Sequence, residues 1–77
     1  AGVKPGIPDI IIIDLPPNRT NPFLRGAVIE MKRRKGGVLT DNQKDWLRAF
    51  GTSHWLTAVS HGADDAIATL ESWGYGK

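Results

Sequence analysis

Seventy-seven residues with a net charge of +2 make one small domain, which buries only about 60% of its unfolded surface. There is no cysteine, so disulfides and thiolate zinc sites are excluded. Neither a membrane-length apolar run nor a signal-peptide pattern is visible, so a membrane partner is not expected.

The expected location is intracellular: bacterial or phage-infected cytoplasm, or a nucleus. Ten basic against eight acidic residues is too mild a balance to imply nucleic acid by itself. His54 and His61 are too few and too isolated for a histidine metal cage.

Residues 1–7 read as a loop, because Pro5 and Pro8 oppose helix. Asp9 to Leu15 reads as a strand. Its four consecutive isoleucines are apolar on both faces, the pattern of a central strand covered on both sides in an α/β fold. Leu15 to Arg25 is rich in breakers and fits an irregular hairpin loop between antiparallel strands. In that loop Arg19 and Arg25 are candidate phosphate contacts, and Phe23-Leu24 is expected to tuck onto the core. Gly26 to Lys32 is a second strand, ended by Lys35-Gly36-Gly37.

Thr40 to Phe50 is expected to be helical. Thr40 and Gln43 stand at the N-cap and N3 positions of a capping box, and Gly51 stands where a C-terminal glycine belongs. Trp46, Leu47 and Phe50 share the core-facing stripe with Gln43. His54 to Val59 reads as a third strand, joined to the second by a right-handed crossover. Ser60-His61-Gly62 reads as a turn and Ala63 to Trp73 as a second helix, with Asp64 and Asp65 complementing its dipole. In the tail, Trp73 and Tyr75 serve either the core or a partner surface, and a purely structural, dimerising domain is a third reading.

The charges at the strand ends carry the chemistry. Asp9 opens the first strand, and Glu30 and Lys32 close the second. Side chains two apart on a strand point the same way, so Glu30 and Lys32 share a face. If the strands are neighbours, Asp9 meets that pair. Mg²⁺ takes oxygen ligands and is often held by one or two carboxylates. Asp9 and Glu30 would supply these, with the Met31 carbonyl as a third oxygen. A metal there polarises a phosphodiester, while Lys32 orients water or offsets charge on the phosphate. The bland alternative is a set of solvated strand ends, with an ion pair worth about 0–1 kcal/mol. The basic run Lys32-Arg33-Arg34-Lys35 directly follows, and Arg33, Arg34 and Lys35 there are candidate DNA-backbone contacts.

Pro8-Asp9 followed by Glu30-Met31-Lys32 resembles the PD-(D/E)xK nuclease superfamily. Lys4 to Asp9, Glu30 to Lys32 and Leu39 to Leu47 together resemble its VRR-NUC family, over about Lys4 to Trp73. The resemblance implies metal ligands at Asp9 and Glu30, a catalytic lysine at Lys32 and an active-site glutamine at Gln43. It implies Mg²⁺ or Mn²⁺ as cofactor and DNA, not a small molecule, as substrate. It further implies a restriction-endonuclease-like mixed sheet flanked by helices, here β-β-α-β-α, with the family's N-terminal helix and its acid absent. Residues 1–77 are thus expected to be one nuclease domain truncated at its N-terminus. Small members of the family resemble junction-resolving homodimers, which implies an endonuclease for branched DNA such as four-way junctions. The alternative is a non-catalytic module binding nucleic acid through residues 32–35.

Overall fold

A computed structural model describes residues 5–76; residues 1–4 of the expected N-terminal loop, Lys4 of the motif among them, lie outside the described residues, as does Lys77. The elements are β1 (Ile10–Ile12), β2 (Gly26–Lys32), α1 (Asp41–Thr52), β3 (Trp55–His61) and α2 (Ala63–Ser72). This is the β-β-α-β-α order expected. The strands form one mixed sheet in the order β1-β2-β3, with β1 antiparallel and β3 parallel to β2.

Trp55 and Leu56 are adjacent on β3 and so face opposite sides of the sheet. Phe50 of α1 meets Trp55 edge-on, with ring centroids 5.2 Å apart, whereas Trp73, at the end of α2, lines a hollow with Leu56. The two helices therefore cover opposite faces.

The central strand is β2, not the isoleucine run. Ala27, Val28 and Ile29 are wholly buried, while Ile11 is 43% and Ile13 79% exposed. The ladder between β1 and β2 covers only three residue pairs, ending at Ile12 and Ala27. One residue before β2 the chain has already turned away, since the Arg25 N–H donates to the His54 carbonyl at 2.9 Å. An apolar run thus reports β-propensity but not which strand gains neighbours on both edges.

Other boundaries move for related reasons. Gly51 does not stop α1, which runs through Thr52. The left-handed residue after it is His54, at φ 69°. Histidine is among the few non-glycine residues enriched in that region. Ser60 and His61 are not a turn but the last two residues of β3, paired with Met31 and Lys32. The Gly62 N–H completes this parallel pairing by donating to the Lys32 carbonyl at 3.0 Å. Trp73 caps α2 rather than extending it.

Phe23 does not tuck onto the core: it is 71% exposed, and its ring lies 6.1 Å from that of His54. Leu24 is the half of that pair that packs inward. The tail folds back on the β1–β2 loop. The Tyr75 hydroxyl donates to the Asp14 carbonyl at 2.7 Å, and the Asn18 N–H donates to the Trp73 carbonyl at 3.3 Å.

Candidate active site

Pro8 has no N–H to offer a ladder and sits buried just ahead of β1. Extending the β1–β2 register by one residue sets Asp9 across from Glu30. The carboxylate of Asp9 then takes the place of a ladder carbonyl: its Oδ2 accepts from the Met31 N–H at 2.9 Å. Sequence reasoning could put Asp9 near the pair, but not assign it this backbone bond. The Met31 carbonyl faces the same edge. On an extended strand a residue's N–H and C=O point to one side and neighbours alternate; the next carbonyl, that of Lys32, is turned to β3.

Glu30 is only 3% exposed, beneath the start of α1. Its Oε2 accepts from Gln43 Nε2 at 2.8 Å and stands 3.6 Å from Lys32 Nζ. Its Oε1 is buried and has no hydrogen-bond partner among the described residues. Burial pushes the Glu30 carboxyl above the ordinary glutamate range, and the Asp9 charge pushes the same way, while the Lys32 charge pulls it back. An oxygen buried without a donor is costly unless something else binds it. A hard cation held between Asp9 and Glu30 is such a partner. The residues present therefore fit an oxygen-liganded metal. Among the described residues no group of three or more His, Cys, Asp or Glu that could hold a metal gathers anywhere, so this cluster brings two carboxylates and no third such ligand.

Lys32 Nζ donates to Gln43 Oε1 at 2.6 Å. The capping box expected at Thr40 and Gln43 is present, and the same Gln43 oxygen accepts from the Thr40 N–H at 2.9 Å. Helix capping and contact with the acidic cluster are thus both tasks of this one amide, not alternatives.

The segment leading to Asp9 rests on the same helix. Trp46 Nε1 donates to the Pro5 carbonyl at 3.1 Å. Gly6, at φ 96°, lies so close to α1 that a Cβ would stand 2.9 Å from Gln43 N. Only glycine meets both demands, which gives a physical role to the glycine before Pro8-Asp9.

The basic run divides. Arg33 and Lys35 are exposed on the turn after β2. Arg34 reaches across to α2, where Nη2 meets Asp64 Oδ2 at 3.0 Å. His61 Nδ1 lies 3.1 Å from the Arg33 carbonyl; a carbonyl only accepts, so that nitrogen carries the proton. The Arg34–Asp64 pair had no signal in the sequence, since the partners lie 30 residues apart.

Arg25 precedes β2 and Lys32 ends it, so about 20 Å of strand separates them. Arg19, whose Nη1 donates to the Pro16 carbonyl at 3.3 Å, is in the same far loop. These two arginines are not brought to the acidic cluster.

The model of the VRR-NUC domain matches residues 1–64. A solved structure described as a VRR_NUC domain protein superposes with a TM-score of 0.80 at 26% identity, covering 95% of this chain. The chain spans 56% of the length of that protein. A search of curated proteins finds no match. With the family's model covering most of the chain, and the mixed three-stranded sheet shared with a solved relative, this chain belongs to the VRR-NUC domain family of nucleases.

Proposed function

We propose that the cluster of Asp9, Glu30, Lys32 and Gln43 hydrolyses phosphodiester bonds in DNA with Mg²⁺ or Mn²⁺. The observation that carries this is the buried Oε1 of Glu30, without a hydrogen-bond partner among the described residues, beside the Asp9 carboxylate and next to a lysine held by Gln43. Asp9, Glu30 and the Met31 carbonyl would hold the cation. When bound, it supplies Lewis-acid polarisation of the phosphate and a lowered pKa for water.

The protein's own groups do the rest. The Lys32 amine, fixed by Gln43 Oε1, presents its remaining protons to a phosphate oxygen or to the attacking water. Burial of Glu30 keeps bulk water from its oxygens, which strengthens every charge interaction in the cluster. Arg33 and Lys35 neutralise flanking phosphates. Cleavage within branched DNA such as a four-way junction, by a homodimer with two such sites, extends the reading by resemblance to small members of the family.

The test is cleavage of a labelled four-way junction and of linear duplex, with Mg²⁺ or Mn²⁺ and with chelator. Wild type is expected to cut the junction only with metal, and Lys32→Ala to slow cutting by about 10²-fold or more. Cutting that persists in chelator, or that survives Lys32→Ala, would overturn the assignment.

A further inference from the structure

The first turn of α1 holds the candidate site together. Thr40 caps the helix at φ −74° and ψ 164°. Its Oγ1 accepts from the Gln43 N–H at 3.2 Å, and its own N–H donates to Gln43 Oε1 at 2.9 Å. That oxygen also accepts from Lys32 Nζ at 2.6 Å, while the opposite end of the amide, Nε2, donates to Glu30 Oε2 at 2.8 Å.

An amide can present either end to a neighbour, and here the choice matters. Turned around, Gln43 would set its NH₂ against two donors and its oxygen against a carboxylate, losing three hydrogen bonds at once. The Thr40 N–H is the one of these three partners that is not a charged member of the cluster. It acts as a fixed reference because the Oγ1 bond holds the cap in place. The lead to Asp9 is seated on the same turn, since Gly6 packs against the backbone of Asn42 and Gln43.

We propose that Thr40 is a positioning residue for this site: the N-cap of α1 fixes which end of the Gln43 amide faces Glu30 and which faces Lys32. The consequence rests on the metal-dependent reading above. Gln43 engages Glu30 Oε2, which leaves Oε1 as the oxygen with no partner among the described residues, and Lys32 is held at the Oε2 side. Supporting groups that orient metal ligands typically change metal affinity by about 10–100-fold when lost.

The test compares the full chain with Thr40→Val, which keeps the shape and loses the acceptor, and Thr40→Ser, which restores it. Ala49→Gly serves as a control, weakening α1 at an exposed position away from the cap. Two quantities are read: hydrogen exchange of the Gln43 side-chain amide in metal-free protein by NMR, and Mn²⁺ affinity by electron paramagnetic resonance.

Thr40→Val is expected to lose the slowed amide exchange and to bind Mn²⁺ about tenfold more weakly. Thr40→Ser and Ala49→Gly are expected to match wild type. The proposal is overturned if Thr40→Val keeps the amide signal and the affinity while merely melting lower. It is equally overturned if Ala49→Gly loses Mn²⁺ to the same degree. Should wild type bind no Mn²⁺, the metal reading fails on its own, and amide exchange alone decides the role of Thr40.

Discussion

Glu30 is where the chain's local chemistry and its stability pull apart. Its carboxyl is pushed up by burial first and by the Asp9 charge second, against the pull of Lys32. The native state therefore holds that proton more tightly than the unfolded chain. The resulting stability is fully present below the ordinary glutamate pKa and is lost as pH rises through the raised value. Metal-free Glu30→Gln is accordingly expected to melt higher than wild type at about pH 8, with the gap closing toward about pH 4. Thermal unfolding across that range checks the sign; a Glu30→Gln variant that melts lower than wild type at about pH 8 would show that the Lys32 contact outweighs burial. The same comparison separates function from stability, because the stabilised variant has lost the oxygen proposed to bind metal.

At the scale of elements, two glycines have opposite meanings that sequence reading does not separate. Gly26 opens β2 where the sheet is tightest. An added Cβ would press on the Ile12 carbonyl oxygen and stand 2.6 Å from Trp55 Cζ3. Gly26→Ala is expected to destabilise by about 1–3 kcal/mol, the cost of overpacking. Gly51 reads as a helix stop but is the penultimate residue of α1, still within the helix, where a Cβ would meet only Thr57 Cγ2 at 3.9 Å. Gly51→Ala is expected to stabilise by about 0.5–1 kcal/mol through helix propensity. Urea unfolding of both variants tests the boundaries directly; a destabilising Gly51→Ala would mean that the helix in solution ends where the sequence pattern suggests. The capping box, by contrast, was legible from Thr40 and Gln43 alone, because all its atoms lie within one turn.

For the whole molecule, the sheet separates two sets of basic residues that look equivalent in the sequence. Arg33 and Lys35 follow β2 at the end that bears Glu30, whereas Arg25 precedes it and Arg19 lies in the same far loop. Arg34 is partly committed to Asp64, though both side chains remain exposed and the pair is weak. Binding of a labelled junction, followed by fluorescence anisotropy against salt in chelator, is expected to rank them. Arg33→Ala and Lys35→Ala should each weaken binding and flatten the salt dependence by about one unit of slope. Arg19→Ala and Arg25→Ala should change little. Equal losses from both sets would mean that the bound DNA extends the length of the sheet.

What the sequence determined by itself was local or periodic. Element order, the helix cap and the shared face of Glu30 and Lys32 depend on neighbours within a few residues, and hydrophobic period and turn chemistry report these directly. The motif residues also pointed to the nuclease family, which the family match and the solved relative bear out. What only the tertiary structure decided was pairing over long separations. It made β2 the central strand, joined the Asp9 carboxylate to the Met31 amide and set Gly6 against the helix start. It also left one Glu30 oxygen buried with no donor among the described residues. Each of these depends on where non-adjacent segments meet, and four isoleucines in a row carry the same burial signal at the edge of a sheet as at its centre.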